Sequence, residues 1–252
     1  MRVLLALIVG QICLHACMAG VRMAAPLQAL RDGHAAWAVG VLLGLFALAP
    51  VALALPAGRL ADRHGYHLPV RLAVGLTVLG GLLALVATWL VPAWPALQFG
   101  VMCLAATLTG AGANIGLIAI QRTAGHWATD SVQRMRIFSW LGLAPSLSNV
   151  VGPVLAGFVI DAAGFRAAFA VMLCLPLLSW FYARRVPRSQ PTAHAEGCEG
   201  NGWDLLALPG LKRLMLVNLL LSACWDVHTF AVPVPERAAA CAAGAERGTR
   251  RA

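Results

Sequence analysis

Charged residues are scarce in this chain of 252 residues. Asp, Glu, Lys and Arg make up 12% of the sequence, hydrophobic residues make up 60%, and the mean hydropathy is +0.77. A water-soluble domain of this size needs far more polar surface to cover its core. The composition therefore argues against a soluble protein and predicts that lipid is the main solvent.

Acidic residues are fewer than basic ones, 10 against 19, and Lys212 is the only lysine. We attribute the arginine bias to a GC-rich bacterial genome. The formal net charge is +9, and the basic residues that produce it lie between apolar runs rather than in one patch, which argues against nucleic acid as a partner. Positive charge beside apolar runs instead orients a membrane protein.

Motifs for catalysis and cofactor binding are missing too. The seven cysteines lie mostly inside apolar runs, without disulfide or metal-ligand spacing. There is no glycine-rich nucleotide loop, no nucleophile with an adjacent base and no acidic pair in a polar loop. We therefore expect no enzyme activity, no cofactor and no bound metal.

Apolar segments of about 20 residues are long enough to cross a bilayer core as helices. Seven approach this length: residues 3–25, 36–57, 70–91, 97–120, 138–160, 167–182 and 214–232. Turn residues separate several of them, at 31–33, 92–95 and 161–164. The pattern predicts an all-α, polytopic transmembrane helix bundle with antiparallel neighbours.

Basic residues set the predicted orientation. A cytoplasmic amino terminus places twelve of them inside and leaves Arg31 and Arg166 in outer loops. We expect a multi-pass protein of the bacterial inner (plasma) membrane. The apolar start could also be a cleaved signal, but the run continues through Leu27, so an uncleaved first span is the simpler interpretation.

The chain divides into four predicted parts. Residues 1–183 form a six-helix transmembrane bundle, 184–210 a cytoplasmic linker, 211–233 a seventh transmembrane helix and 234–252 a disordered tail. The tail could be a natural terminus. We favour a frameshift or truncation, after about residue 232, that removed the rest of a longer protein.

The strongest motif lies between the second and third spans. It reads Gly58-Arg59-Leu60-Ala61-Asp62-Arg63-His64-Gly65. Terminal glycines suit tight turns and close helix approach, and the carboxylate suits a helix N-terminus or a nearby arginine. The motif resembles Gly-x-Leu-Ala-Asp-Arg-x-Gly, the cytoplasmic loop motif of the major facilitator superfamily. An ordinary arginine-rich turn is the alternative.

This resemblance implies a gating role for Gly58, Leu60, Asp62, Arg63 and Gly65. In the superfamily the acidic residue braces the cytoplasmic side of the transporter, partly against a helix of its second half. One departure stands out. The family usually continues with Arg or Lys after the last glycine, whereas Tyr66 and His67 follow here.

Two membrane helices carry weaker signals. In the fifth span, Gly152, Pro153 and Gly157 resemble the family's glycine-proline motif, which occurs most often in proton-coupled antiporters, and they predict a hinge and close packing. A generic packing kink is the alternative. In the fourth span, Ala106 or Thr107 stands where the family's intramembrane arginine is expected, which weakens a proton scheme that depends on it.

Charges within apolar segments are costly and invite functional hypotheses. Arg22 could line a central cavity as an anion site, or snorkel to the outer headgroups. Asp226 and His228 could form a titratable proton or substrate site. Alternatively, the seventh span ends near Trp225, and Asp226 lies among headgroups.

The leading hypothesis is a secondary active transporter of a small solute. It works by alternating access, is coupled to protons and could be an exporter. Its expected partners are the solute, the lipid bilayer and protons. The alternative is a truncated, non-transporting membrane fragment, or a half-transporter that acts only with a partner, since the superfamily places substrate between two six-helix halves.

Overall fold

The computed structural model describes residues 2–90, 94–128, 130–187 and 209–231. It consists of helices α1 (Arg2–Arg31), α2 (Ala36–His64), α3 (His67–Ala87), α4 (Pro95–Trp127), α5 (Ser131–Ala183) and α6 (Pro209–Ala231). The described residues form no strand. The predicted all-α class is confirmed, although most helices continue beyond the predicted spans because backbone hydrogen bonding does not stop where hydropathy falls.

Helix α5 contains the predicted fifth and sixth spans. Only Gly164 departs from helical geometry, with φ 82° and ψ 176°, a conformation that side chains disfavour. The two segments, 131–163 and 165–183, double back on one another, since Ile137 and Ala183 share one buried cluster and Ala156 and Phe169 share another. The turn predicted at 161–164 is therefore a one-residue break at Gly164.

Five helices, α1 to α5, are long and apolar enough to cross a membrane among the described residues. Contacts divide the chain into two units, Met1–His194, which holds α1 to α5, and Ala195–Ala252, which holds α6. The seventh predicted span falls on α6, apart from Val232. Most of the predicted linker and all of the predicted tail lie outside the described residues.

The helices of the first unit alternate in direction and give the bundle two ends. We call them the Asp62 end, where α2 and α4 finish and α3 begins, and the Gly33 end, where α1 and α3 finish and α5 breaks. A buried cluster occupies each half. Tyr66, Ile120 and Ala183 belong to the first, and Phe46, Met102 and Phe169 belong to the second.

Helix α4 packs closely on its neighbours through glycines. A methyl carbon added to Gly110 would lie 2.6 Å from the carbonyl oxygen of Phe46 in α2, and one added to Gly112 would lie 2.6 Å from that of Ala73 in α3. Pro50 has no N–H, so the Phe46 carbonyl lacks its usual helical donor, and Gly110 occupies the space beside it. Small residues thus let α4 sit among the other helices.

Candidate functional site

The Gly58–Gly65 motif forms the last turns of α2 rather than a loop. Residues 58–64 are helical, and Gly65 follows as the cap, with φ 68° and an N–H that donates to the Ala61 carbonyl at 2.9 Å. The turning role expected of Gly58 is wrong, because this residue is helical and a methyl carbon on it would meet nothing within 4 Å. Of the two glycines of the motif, only Gly65 has the positive φ that favours glycine.

Asp62 is held by an arginine from α4. Its carboxylate Oδ1 accepts a hydrogen bond from Nε of Arg122 at 2.6 Å, and its backbone carbonyl accepts one from Nη2 at 3.3 Å. A negative charge in the last turn of α2 faces the negative end of the helix dipole, so a cation here offsets a local cost. The Asp62 side chain is 52% exposed and that of Arg122 only 10%.

Arg122 is the residue of this site that the motif did not identify. The predicted partner of Asp62 was an unnamed arginine or a helix N-terminus. Sequence offers one signal, a basic residue just beyond the fourth apolar run. Among the other predicted gating residues, Leu60 is half-buried and Arg63 is exposed. The contact between α2 and α4 that the structure shows at this motif is the Asp62–Arg122 pair.

Tyr66 and His67, where the sequence departs from the family pattern, join α3 to the end of α5. Tyr66 is 1% exposed, and its ring meets that of His67 edge-on with centroids 5.3 Å apart. His67 Nε2 lies 3.0 Å from the carbonyl oxygen of Val186. Burial raises the pKa of the Tyr66 hydroxyl. These two residues anchor the start of α3 to the end of α5, at the same end of the bundle as the Asp62–Arg122 pair.

Gly152 lies where α5 crosses α1. A methyl carbon added to it would overlap the Ala16 carbonyl oxygen and lie 3.0 Å from the backbone nitrogen of Gly20. Nearby, Ser148 Oγ donates to the Ile12 carbonyl at 3.1 Å across the same contact. A methyl carbon on Gly157 would meet only the flexible end of Met23, at 3.4 Å.

Pro153 lies inside α5 next to this crossing and removes one helical hydrogen bond. The missing hydrogen bond leaves α5 easier to bend at the place where it packs closely on α1, which is where the sequence predicts a hinge in this helix. The hinge itself stays a prediction.

The three predicted substrate or proton residues are not assembled into one described site. Arg22 is half-buried in α1 and has an interaction partner. Asp226 and His228 lie in α6, in the other unit, and their side chains lie outside the described residues. In α4, Ala106 is fully buried, and Thr107 Oγ1 donates to the Cys103 carbonyl of its own helix at 2.8 Å.

Comparison with known proteins gives one family match. The model of the Major Facilitator Superfamily matches residues 7–238, which include most of α1 and all of α2 to α6. The match covers the Asp62 motif, the Gly152 crossing and the helix that carries Asp226.

Curated relatives match over shorter stretches. MFS-type transporter SLC18B1 of Homo sapiens is 25% identical over 207 residues, which are 79% of this chain and 42% of that protein. Tetracycline resistance protein, class B, of Escherichia coli is 31% identical over 147 residues, 56% of this chain and 34% of that protein. Multidrug resistance protein MdtG of Erwinia billingiae (strain Eb661) is 32% identical over 155 residues, 58% of this chain and 35% of that protein. The chain spans between 34% and 42% of the length of these relatives.

Proposed function

Because the chain belongs to the major facilitator superfamily, we propose that it takes part in secondary active transport of a small solute by alternating access. The single observation that carries this proposal beyond family membership is the Asp62–Arg122 pair at the ends of α2 and α4. Such a pair can form in one state of a transporter and break in another, since its energy is modest.

The magnitude of that energy suits a gate. Half of the Asp62 side chain is exposed, so the pair contributes about 0–1 kcal/mol, as exposed ion pairs do. A contact of this size biases a conformational equilibrium without locking it. The exposed part of the carboxylate is also available to a second partner, which the family resemblance assigns to a helix of a second half.

Two helices of the first unit leave room for such a second half. In the most apolar 18-residue stretch of each helix, 17% of the residues are buried in α2 and in α5, against 56% in α1 and 61% in α4. Large apolar side chains point outward from both, including Leu48, Val51, Val154 and Phe158. This surface suits a second bundle, a partner protein or lipid.

Direction and coupling are finer parts of the proposal. The names of two relatives, a tetracycline resistance protein and a multidrug resistance protein, favour export. We propose proton coupling with a cytoplasmic Asp62 end. The proton carrier in this scheme is not Asp62 itself but a titratable group of an apolar helix, for which Asp226 and His228 of α6 are the candidates.

The alternative is a membrane fragment that moves no solute unless a second half is supplied. The observation in its favour is the share of each relative that this chain covers, 42% or less. A fragment would insert and fold as described but form no closed pathway, because the superfamily's solute site lies between two halves.

Flux in proteoliposomes tests these proposals. The purified 252-residue chain is reconstituted with a pH-sensitive dye inside, and tetracycline is the first probe of a panel of small solutes. Solute-dependent proton movement supports transport by the chain alone. Flux that appears only when a second six-helix half is co-reconstituted supports the half-transporter, and no flux in either arrangement contradicts both forms of the proposal.

Asp62→Asn gives the residue-specific arm of this test. The variant keeps the shape of the side chain but removes the charge that Arg122 binds. We expect flux to fall by about two- to fivefold, the upper value being the change that about 1 kcal/mol corresponds to, with unchanged membrane insertion. Arg59→Gln is the matched control, since it removes an exposed charge of the same motif from a residue with no predicted gating role.

A further inference from the structure

A cavity of about 370 Å³ opens at the Gly33 end of the first unit, far from the Asp62–Arg122 pair. Gln28, Arg31 and Asp32 line it from the end of α1, Thr88 from the end of α3, and Arg166 from the break in α5. Its volume lies within the range of small-ligand sites, about 300–1,000 Å³. None of these residues has a place in the proposed transport mechanism.

The two arginines of the cavity are fixed on aromatic rings. The Arg31 guanidinium lies 5.6 Å from the ring centre of Phe165, and that of Arg166 lies 5.8 Å from Trp89. Arg166 Nη2 also donates to the Thr88 carbonyl at 3.4 Å. Within the described part of the chain, neither guanidinium has a carboxylate within 4.0 Å. Both charges can therefore still bind an anion.

The remaining polar groups of the cavity complement these charges. The carboxylate of Asp32 accepts a hydrogen bond from Nε2 of Gln98, which holds one of its oxygens and leaves its negative charge in the cavity. Gln28 is 4% exposed, and its Oε1 has no hydrogen-bond partner among the described residues. A buried carbonyl oxygen without a donor is costly, so the site lacks one hydrogen-bond donor.

Three exposed tryptophans place the cavity at headgroup depth. Trp37, Trp89 and Trp94 all lie at the Gly33 end and are 68%, 57% and 65% exposed. Tryptophan is enriched where hydrocarbon meets headgroups, because its ring is apolar and its N–H is polar. The cavity thus opens toward the layer that holds lipid phosphates, at the ends of α1 and α3.

We propose that this cavity binds the headgroup of an anionic phospholipid, namely a phosphodiester that also carries a hydroxyl. Arg31 and Arg166 bind the phosphate oxygens, and Gln28 Oε1 accepts the hydroxyl hydrogen. Two arginines and one aspartate give the cavity a formal charge of +1, which a headgroup of charge −1 neutralises. Phosphatidylglycerol has this chemistry.

Native mass spectrometry of the full chain in detergent, with lipids added, measures lipid binding and tests the proposal. The probes are phosphatidylglycerol, phosphatidylcholine and phosphatidylmethanol with identical acyl chains, and glycerol 1-phosphate as the soluble phosphate. We expect phosphatidylglycerol to bind at least about tenfold more tightly than phosphatidylcholine, because choline places a cation beside the two arginines and offers no hydroxyl to Gln28. Phosphatidylmethanol, an anion without the hydroxyl, should be intermediate.

Variants assign the binding to this cavity. Arg31→Gln with Arg166→Gln should reduce phosphatidylglycerol binding to the level of phosphatidylcholine, and each single variant should lie between. Gln28→Leu should reduce phosphatidylglycerol binding to the level of phosphatidylmethanol. The matched control is Arg184→Gln with Arg185→Gln, which removes two arginines that also stack on aromatic rings, at the opposite end of the unit.

Several results would overturn the proposal. Equal binding of phosphatidylglycerol and phosphatidylcholine would exclude an anion site, and an equal loss in the control variant would exclude this cavity. Displacement of the lipid by glycerol 1-phosphate at similar concentration would show a soluble anion as the ligand. If the double variant does not fold, the single variants, checked by circular dichroism, give the same comparison.

Discussion

Asp62 illustrates how much of a site one residue's sequence context can reveal. The spacing of the motif identified the acidic residue and its neighbours, because glycines and charges at fixed positions are visible in the chain. Its partner was not identifiable, since Arg122 is 60 residues away and only the packing of α4 against α2 brings the two together. Pairing across helices depends on which faces meet, and hydropathy carries little of that information.

The hydroxyl of Tyr66 gives a pH prediction at the residue scale. Burial raises its pKa in the folded protein above the unfolded value of about 10. The stability that the neutral hydroxyl provides is therefore fully present below pH 10 and is lost as the pH rises toward the folded-state pKa. In Tyr182→Phe, which leaves Tyr66 as the only tyrosine, phenolate absorbance should appear only well above pH 10, together with loss of helix.

Ionisation of Tyr66 near pH 10 with intact circular dichroism would contradict this burial. Tyr66→Phe is the control for stability. It lacks the ionisable group, so its melting temperature should fall less than that of the unaltered chain above pH 10.

His67 gives a second prediction at this scale. His67→Phe keeps a ring beside Tyr66 but removes the hydrogen bond to the Val186 carbonyl. A net loss of about 0.5–1.5 kcal/mol follows from one such bond. That corresponds to a drop of roughly 2–4 °C in melting temperature per kcal/mol.

The matched control is His64→Phe. Nδ1 of that histidine lies 3.3 Å from the Leu60 carbonyl oxygen of its own helix, and within the described ranges His64 makes no hydrogen bond to another helix. A similar temperature drop in both variants would show that His67 does not anchor α3 to the end of α5.

Among the elements, helix α5 shows what a membrane sequence can and cannot predict. Two apolar runs with a glycine between them predicted two antiparallel spans, and the break at Gly164 accounts for both. The contact partner of each span was not predictable from hydropathy, because the lipid-facing and helix-facing sides of a membrane helix are similarly apolar. In the sequence, the only trace of the crossing of α5 on α1 is the pair Gly20 and Gly152, and only the structure shows that the two glycines face each other.

Alanine substitutions along α5 test that crossing. Gly152→Ala should destabilise the bundle by about 1–3 kcal/mol, because the added methyl group overlaps the backbone of α1. Gly142→Ala in the same helix meets nothing within 4 Å, so it should be neutral or stabilise by up to about 1 kcal/mol. Gly157→Ala should lie between, since Met23 can move aside.

Thermal unfolding in detergent, followed by circular dichroism, measures this series. From the most to the least stable variant, the expected order is Gly142→Ala, then Gly157→Ala, then Gly152→Ala. A reversed order, or equal stability of all three variants, would contradict the close crossing of α1 and α5.

At the scale of the whole molecule, composition and one motif were enough to predict an all-α bundle of the family to which the chain belongs. Activity is less accessible, because a solute pathway in this superfamily needs two halves and the chain spans 42% or less of its relatives. The described residues of the first unit present the Asp62–Arg122 ion pair and the close crossing of α1 and α5, with apolar faces on α2 and α5 open to further contacts.

The central claim is that the Asp62–Arg122 pair controls transport. The most direct test is solute-dependent proton flux in proteoliposomes, with a co-reconstituted second half if the chain alone is inactive. It compares the unaltered chain, Asp62→Asn, and a charge exchange of Asp62→Arg with Arg122→Asp. We predict a loss of about two- to fivefold in Asp62→Asn, as a pair of up to about 1 kcal/mol implies, and partial recovery in the exchange variant, with equal insertion of all three. Flux in Asp62→Asn equal to that of the unaltered chain would contradict the claim.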